Sequence, residues 1–229
     1  MNDFYKQAIF LQWFEAILLL IIGFFPALWI IELSFVQPLF GLLFLVYLPV
    51  GQFTLTPISK LTGMYTYYSP MLLGYMANEK QIDLHSGGSF DYLFVMRKFK
   101  KGIATRNAIL TFQLEGLLNI ISQIENGAIP GTVNIIGTSY FFNERTIHKL
   151  GFEIQKPSLF YRLNLLVNFI DLTWMYSVSK GRFTIPKIWN ATKVSIDGSK
   201  LKENKELIKS LHVKLRLSQK RIPVILNGN

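Results

Sequence analysis

Cysteine is absent from all 229 residues. That excludes disulfides, thiolate metal centres and a thiol nucleophile together, and it agrees with a cytoplasmic domain. Charge is scarce too: Asp, Glu, Lys and Arg make up 17% of the chain, against about 25% in ordinary soluble proteins. The three histidines, His85, His148 and His212, are scattered and lack metal-ligand spacing. Asp83, Asp91 and Glu115 are not spaced as a carboxylate pair. No metal is expected. Internal repeats and low-complexity tracts are lacking as well.

What the chain has instead is two long apolar runs. Leu33 to Ser59 contains no charged side chain, and neither does Ala16 to Ile31. A helix needs about 20 apolar residues to cross ~30 Å of hydrocarbon. Residues 1–59 are therefore predicted to form a transmembrane helical hairpin that turns at Glu32, and Pro26, Pro38, Pro49 and Pro57 are tolerated more readily in that setting. A cleavable signal peptide fits poorly: the N-terminal region has only Lys6, the apolar stretch is too long, and a second run follows at once. Residues 60–229 remain for one membrane-apposed domain.

Charge is divided along the same boundary. Residues 1–58 hold Lys6 against Asp3, Glu15 and Glu32, whereas residues 59–229 hold 23 basic and 11 acidic side chains. The positive-inside bias places the N-terminus and the domain in the cytoplasm and Glu32 outside, in a multi-pass protein of an inner or plasma membrane. Tyr65, Tyr67 and Tyr68 suit the headgroup level. Anionic headgroups are the expected partner of the basic stretch Arg97, Lys98, Lys100 and Lys101. No nucleic-acid partner is expected, because the Lys-rich C-terminal stretch has no interleaved aromatic reader.

Within the domain the pattern predicts α+β architecture. Met71–Ala77 and Gln81–His85 flank a polar turn as a hairpin, and Phe90–Met96 reads as a third strand. Ile109, Phe112, Leu117, Ile120, Ile121 and Ile124 recur at helical spacing, predicting a helix over 103–126 that Asn126-Gly127 stops. A buried strand over 133–142, a short helix over 144–150 closed by Gly151, and a strand from Phe152 follow. Residues 157–178 read as one amphipathic helix, on the domain or on the membrane, since a third span would bury Arg162 and Asp171. Residues 183–196 hold further strands, and 200–221 a basic amphipathic helix.

The order strand, basic Gly loop, long helix, strand, Asn-led helix, Leu150-Gly151-Phe152 resembles the core of the GNAT acyltransferase superfamily over about residues 70–155. The loop is Lys100-Lys101-Gly102-Ile103-Ala104-Thr105-Arg106, following a strand that ends near Val95. Amides at a helix N-terminus suit phosphate oxygens. The resemblance implies a GNAT-like mixed sheet with flanking helices, with acetyl-CoA or a longer acyl-CoA as co-substrate. Its pyrophosphate would lie on residues 100–106, and Asn143 would contact the cofactor arm. The family's Tyr acid is missing from the short helix, which leaves Tyr140 or His148 as acid or base, and Phe99 stands where the family's loop carries Arg or Gln. The implied activity is acyl transfer to an amine or hydroxyl of a membrane protein or lipid-linked substrate. The alternative is a non-catalytic, membrane-tethered scaffold or anionic-lipid module whose acyltransferase-like core is degenerate.

Overall fold

The computed structural model describes residues 3–139 and 144–220. Two long helices, α1 (Ile9–Val36) and α2 (Leu43–Leu61), run antiparallel around a 3-10 turn at Pro38–Leu42. Each is long and apolar enough to cross a membrane by length and composition. The connection predicted at Glu32 lies further on: Glu32 is inside α1, one turn before its end, and Gln37 breaks the helix in extended backbone. Ala16, Gly23 and Ile30, seven residues apart, form the buried stripe of α1. A Cβ at Gly23 would strike the Thr54 side chain, and the Tyr47 hydroxyl donates to the Gly23 carbonyl at 2.5 Å. Small residues let the two backbones approach, as in lipid-embedded helix pairs. Phe10, Phe14, Ile22, Phe25, Trp29 and Phe35 remain exposed.

The described strands form one mixed sheet in the order β1-β2-β3-β4-β6-β5. These are β1 (Tyr65–Ser69), β2 (Leu72–Tyr75), β3 (Gln81–Ser86), β4 (Asn134–Ser139), β5 (Glu153–Gln155) and β6 (Thr192–Asp197). The three tyrosines expected among headgroups make edge strand β1, with Tyr68 in the core. β1, β2 and β3 are successive antiparallel neighbours, β3 and β4 are parallel, and β6 inserts antiparallel between β4 and β5. The parallel step requires a crossover. It contains the predicted long helix, α4 (Ile103–Glu125), whose Leu114, Leu117, Ile120 and Ile121 pack on Ile82, Leu84 and Ile135.

Phe90–Met96 is not a strand. It is a short helix, α3 (Ser89–Asp91), running into a wider helical turn over Tyr92–Met96. Phe90 and Phe94, four apart, stack at 4.7 Å and face Phe4, Tyr5 and Phe53. Tyr92, Val95 and Met96 face α4. A helix buried on two sides presents the continuous apolar run of a buried strand, and periodicity cannot separate them.

Helix α5 (Glu144–Lys149) ends at Gly151, whose φ of 81° is the left-handed cap that glycine adopts readily. The single helix expected over 157–178 is two, α6 (Leu159–Val167) and α7 (Phe169–Lys180), broken at Asn168. Residues 183–191 are loop and 3-10 turn, leaving β6 as the strand of that region. The C-terminal helix divides at Asn204 into α8 (Gly198–Glu203) and α9 (Lys205–Lys220), and α9 lies along α4.

Candidate functional site

The parallel pair ends before its strands do. β3 and β4 are in register from Gln81↔Asn134 to Leu84↔Gly137, where their described pairing stops. Each strand continues on its outer neighbour: His85 and Ser86 pair with β2, Thr138 and Ser139 with β6. Gly137 makes the last rung close, since a Cβ there would sit 3.3 Å from Leu84. That rung lies near the carboxyl ends of both strands.

Side chains alternate faces along a strand, so Ile82 and Leu84 enter the core while Asp83 and His85 share the opposite face. His85 Nε2 lies 3.4 Å from Asp83 Oδ1, and both side chains are partly open to solvent. Tyr161 of α6 approaches Thr138 of β4, and its hydroxyl donates to the Thr192 carbonyl at 3.4 Å. Burial, with some help from the Asp83 charge and against a hydrogen bond to Thr138, pushes the Tyr161 phenol up to about 12. An imidazole beside a carboxylate therefore stands on β3, and a phenol that stays protonated stands by Thr138 on the neighbouring β4. Such a pair suits proton removal on one side and proton donation on the other.

The residues expected from sequence are distributed differently. Val95 is buried in a helical turn rather than ending a strand. The amide of Gly102 donates to the Val178 carbonyl at 2.9 Å, and those of Thr105 and Arg106 donate to Lys100 and Gly102. Gly102 (φ 93°) and Gly181 (φ 72°) meet backbone to backbone, so a Cβ on Gly181 would sit 3.2 Å from Gly102 Cα. Thr105 is buried, Ala104 half-buried, and Lys100, Lys101, Ile103 and Arg106 are exposed. The loop thus offers positive charge, but its Gly102 amide is already engaged by protein. Phe99 packs edge-on against Phe112 at 6.2 Å, which explains an aromatic at that position. α4 touches Ser86 through Gln113 Nε2, ten residues or about 15 Å along the helix from the loop. His148 is exposed on α5. Tyr140 and Asn143 lie outside the described residues. No group of acidic and histidine side chains suited to a metal occurs among the described residues.

A second polar cluster joins β1, α3 and α7 within the domain. Asp91 is fully buried and accepts from the Tyr67 hydroxyl at 2.9 Å. Asp171 accepts from the Ser89 hydroxyl and from Trp174 Nε1. Burial raises the Asp171 carboxyl above its ordinary range, against the Trp174 bond that lowers it. The folded state therefore favours the protonated form. The stability this contributes is full below the ordinary carboxylate range and is lost as pH rises through the folded value. Asp171→Asn keeps the acceptor oxygen without the charge. It should raise the thermal midpoint of the detergent-solubilised protein at pH 7, with the gain shrinking toward pH 4. A variant less stable than the parent at every pH would show that the carboxylate is the favoured form.

No protein-family model, curated protein or solved structure matches this chain. The Asp83–His85 pair was visible in the sequence only as an alternation on a short strand. Tyr161 carried no sequence signal, because its place depends on α6 crossing to β4 and β6.

Proposed function

We propose that this protein is a membrane-held, GNAT-like acyltransferase that moves an acyl group from acyl-CoA to an amine or hydroxyl of a membrane-associated acceptor. The observation that supports the reading is the parallel β3–β4 pair, whose described pairing ends at Leu84 and Gly137, with the crossover helix α4 between them in sequence. In the resemblance drawn from sequence, the cofactor arm runs between the ends of the strands read at Val95 and Ile136; because Phe90–Met96 is helical, β3 is taken here in place of the first. The strand that opens the motif is β3, which ends at Ser86, and α3 is an insertion before the basic loop.

In this reading the acyl thioester lies at the end of the β3–β4 ladder. His85, oriented by Asp83, takes the proton from the attacking amine or hydroxyl as the new acyl–N or acyl–O bond forms. The carbon–sulfur bond breaks, and the Tyr161 phenol gives its proton to the departing thiolate. His85 then returns its proton to solvent, and Tyr161 recovers one. Lys100 and Lys101 supply charge for the pyrophosphate. α1 and α2 are the transmembrane anchor, with both termini of the hairpin and the domain on the cytoplasmic face, and they keep the acceptor at high effective concentration.

Calorimetric titration of acetyl-CoA and palmitoyl-CoA into the detergent-solubilised full chain tests this. Micromolar binding should be abolished by Thr138→Glu, which sets a carboxylate at the end of that ladder while leaving the thermal midpoint near that of the parent. No binding to the parent at millimolar CoA would overturn the reading. The exposed row Arg97, Lys98, Lys100 and Lys101 would then favour the alternative, a module that binds anionic lipid without catalysis.

A further inference from the structure

The register of the two long helices fixes how deep the domain must sit. Gly23 faces Thr54, so six residues further along each helix, in opposite directions, Ile17 and Lys60 share a level. From Ile17 to Val36 is about 30 Å at 1.5 Å per residue, one hydrocarbon thickness. Glu15 and Lys60 bound this interval on the domain side, and Glu32 lies one turn from its far end. Yet the domain reaches well inside it. Gln52 of α2 donates to Asn168 at the α6–α7 break, and Gln52 stands only about 16 Å from the level of Val36. Spanning helices therefore carry the α6–α7 elbow about 10 Å into the leaflet on the domain side.

The surface of the elbow is what that depth requires. Leu159, Leu163, Leu166, Val167 and Ile170 are all exposed, far more apolar surface in one place than a soluble domain ordinarily leaves open. The adjoining loop, held against α6 through Ile188 and Leu165, exposes Phe183, Ile185 and Trp189. Arg162, Arg182 and Lys187 are exposed beside them, placed for their stems to lie on apolar surface and their charges to reach phosphates.

We infer that the α6–α7 elbow and the 183–189 loop are set into the bilayer, α6 lying at the headgroup–acyl boundary with its exposed leucines against lipid. This rests on the reading that α1 and α2 span. It adds that the domain is partly immersed rather than suspended above the surface. Since Tyr161 lies on the same helix, the end of the β3–β4 ladder lies at the lipid surface, and the acceptor is a headgroup or a group held at that depth.

The lack of cysteine allows a clean test in the full chain, reconstituted into vesicles of phosphatidylcholine and phosphatidylglycerol. Nitroxides are placed singly at I22C, L163C, W189C and K202C, all at exposed positions, and accessibility to oxygen and to an aqueous nickel chelate is compared. Positions 22 and 163 should be oxygen-accessible and several-fold less open to nickel than 202, with 189 intermediate. A protected 22 with 163 and 189 as open to nickel as 202 would overturn the elbow's immersion and leave the spanning helices standing. Nickel access at 22 equal to that at 202 would overturn both.

Discussion

Gly116→Leu is expected to lower the thermal midpoint of the protein by about 5–10 °C, or to prevent its folding. Gly116 lies in the middle of α4, where glycine costs roughly 1 kcal/mol relative to alanine, and an isolated helix would gain from its replacement. The tertiary contact reverses the sign. A Cβ at this position would fall within 2.9 Å of Leu72 Cβ, and Leu72 is held on β2 by its pairing with both β1 and β3. Neither backbone can retreat, because α4 is also packed on its other side by α9. Overpacking of this kind costs about 1–3 kcal/mol. For a chain of this size each kcal/mol is worth about 2–4 °C. Thermal denaturation followed by circular dichroism in detergent measures the shift. A midpoint equal to that of the parent would mean that α4 can slide on the sheet.

His85→Gln should reduce turnover of acyl-CoA by about 10²–10⁴-fold, the usual contribution of a positioned general base. Glutamine retains much of the shape and a hydrogen-bonding end near Asp83, so acyl-CoA affinity should hold. Asp83→Asn should cost less, because it removes only the orienting charge 3.4 Å from Nε2. The measurement is release of free CoA thiol from acetyl-CoA, with hydroxylamine as a simple acceptor. Loss of rate with unchanged affinity assigns His85 to the proton transfer. A variant that retains the full rate removes it from the chemistry and leaves the end of the β3–β4 ladder as a binding feature alone.

Much of the fold was legible because its signals are local. The lack of charge across Ala16–Ile31 and Leu33–Ser59 is enough to demand two long apolar helices, although the break falls at Gln37 rather than at Glu32. The three- and four-residue spacing of α4 survives because one face packs on the sheet. The hairpin of β2 and β3 follows from its polar turn, and Gly151 ends α5 because its left-handed φ suits a residue without a side chain. The misreadings share a cause: each depended on contacts with distant elements. Phe90–Met96 is apolar apart from Asp91 and buried on two sides, by the N-terminal aromatics and Phe53 of α2 on one and by α4 on the other. The Gly102 loop reads as an amide-rich turn until the end of α7 is seen to occupy its N–H.

By itself, then, the sequence determined two apolar helices of membrane-crossing length, a basic α+β domain after them, and the α4 crossover, since hydrophobic period and charge are carried by neighbouring residues. Only the tertiary structure decided where a site can be. β6, remote in sequence, inserts between β4 and β5 and pairs with β4 past the last described β3–β4 rung. α6 brings Tyr161 to Thr138 and Thr192 on the neighbouring strands, within reach of the Asp83 charge. The end of the β3–β4 ladder belongs to no single segment, since each strand continues there on its outer neighbour.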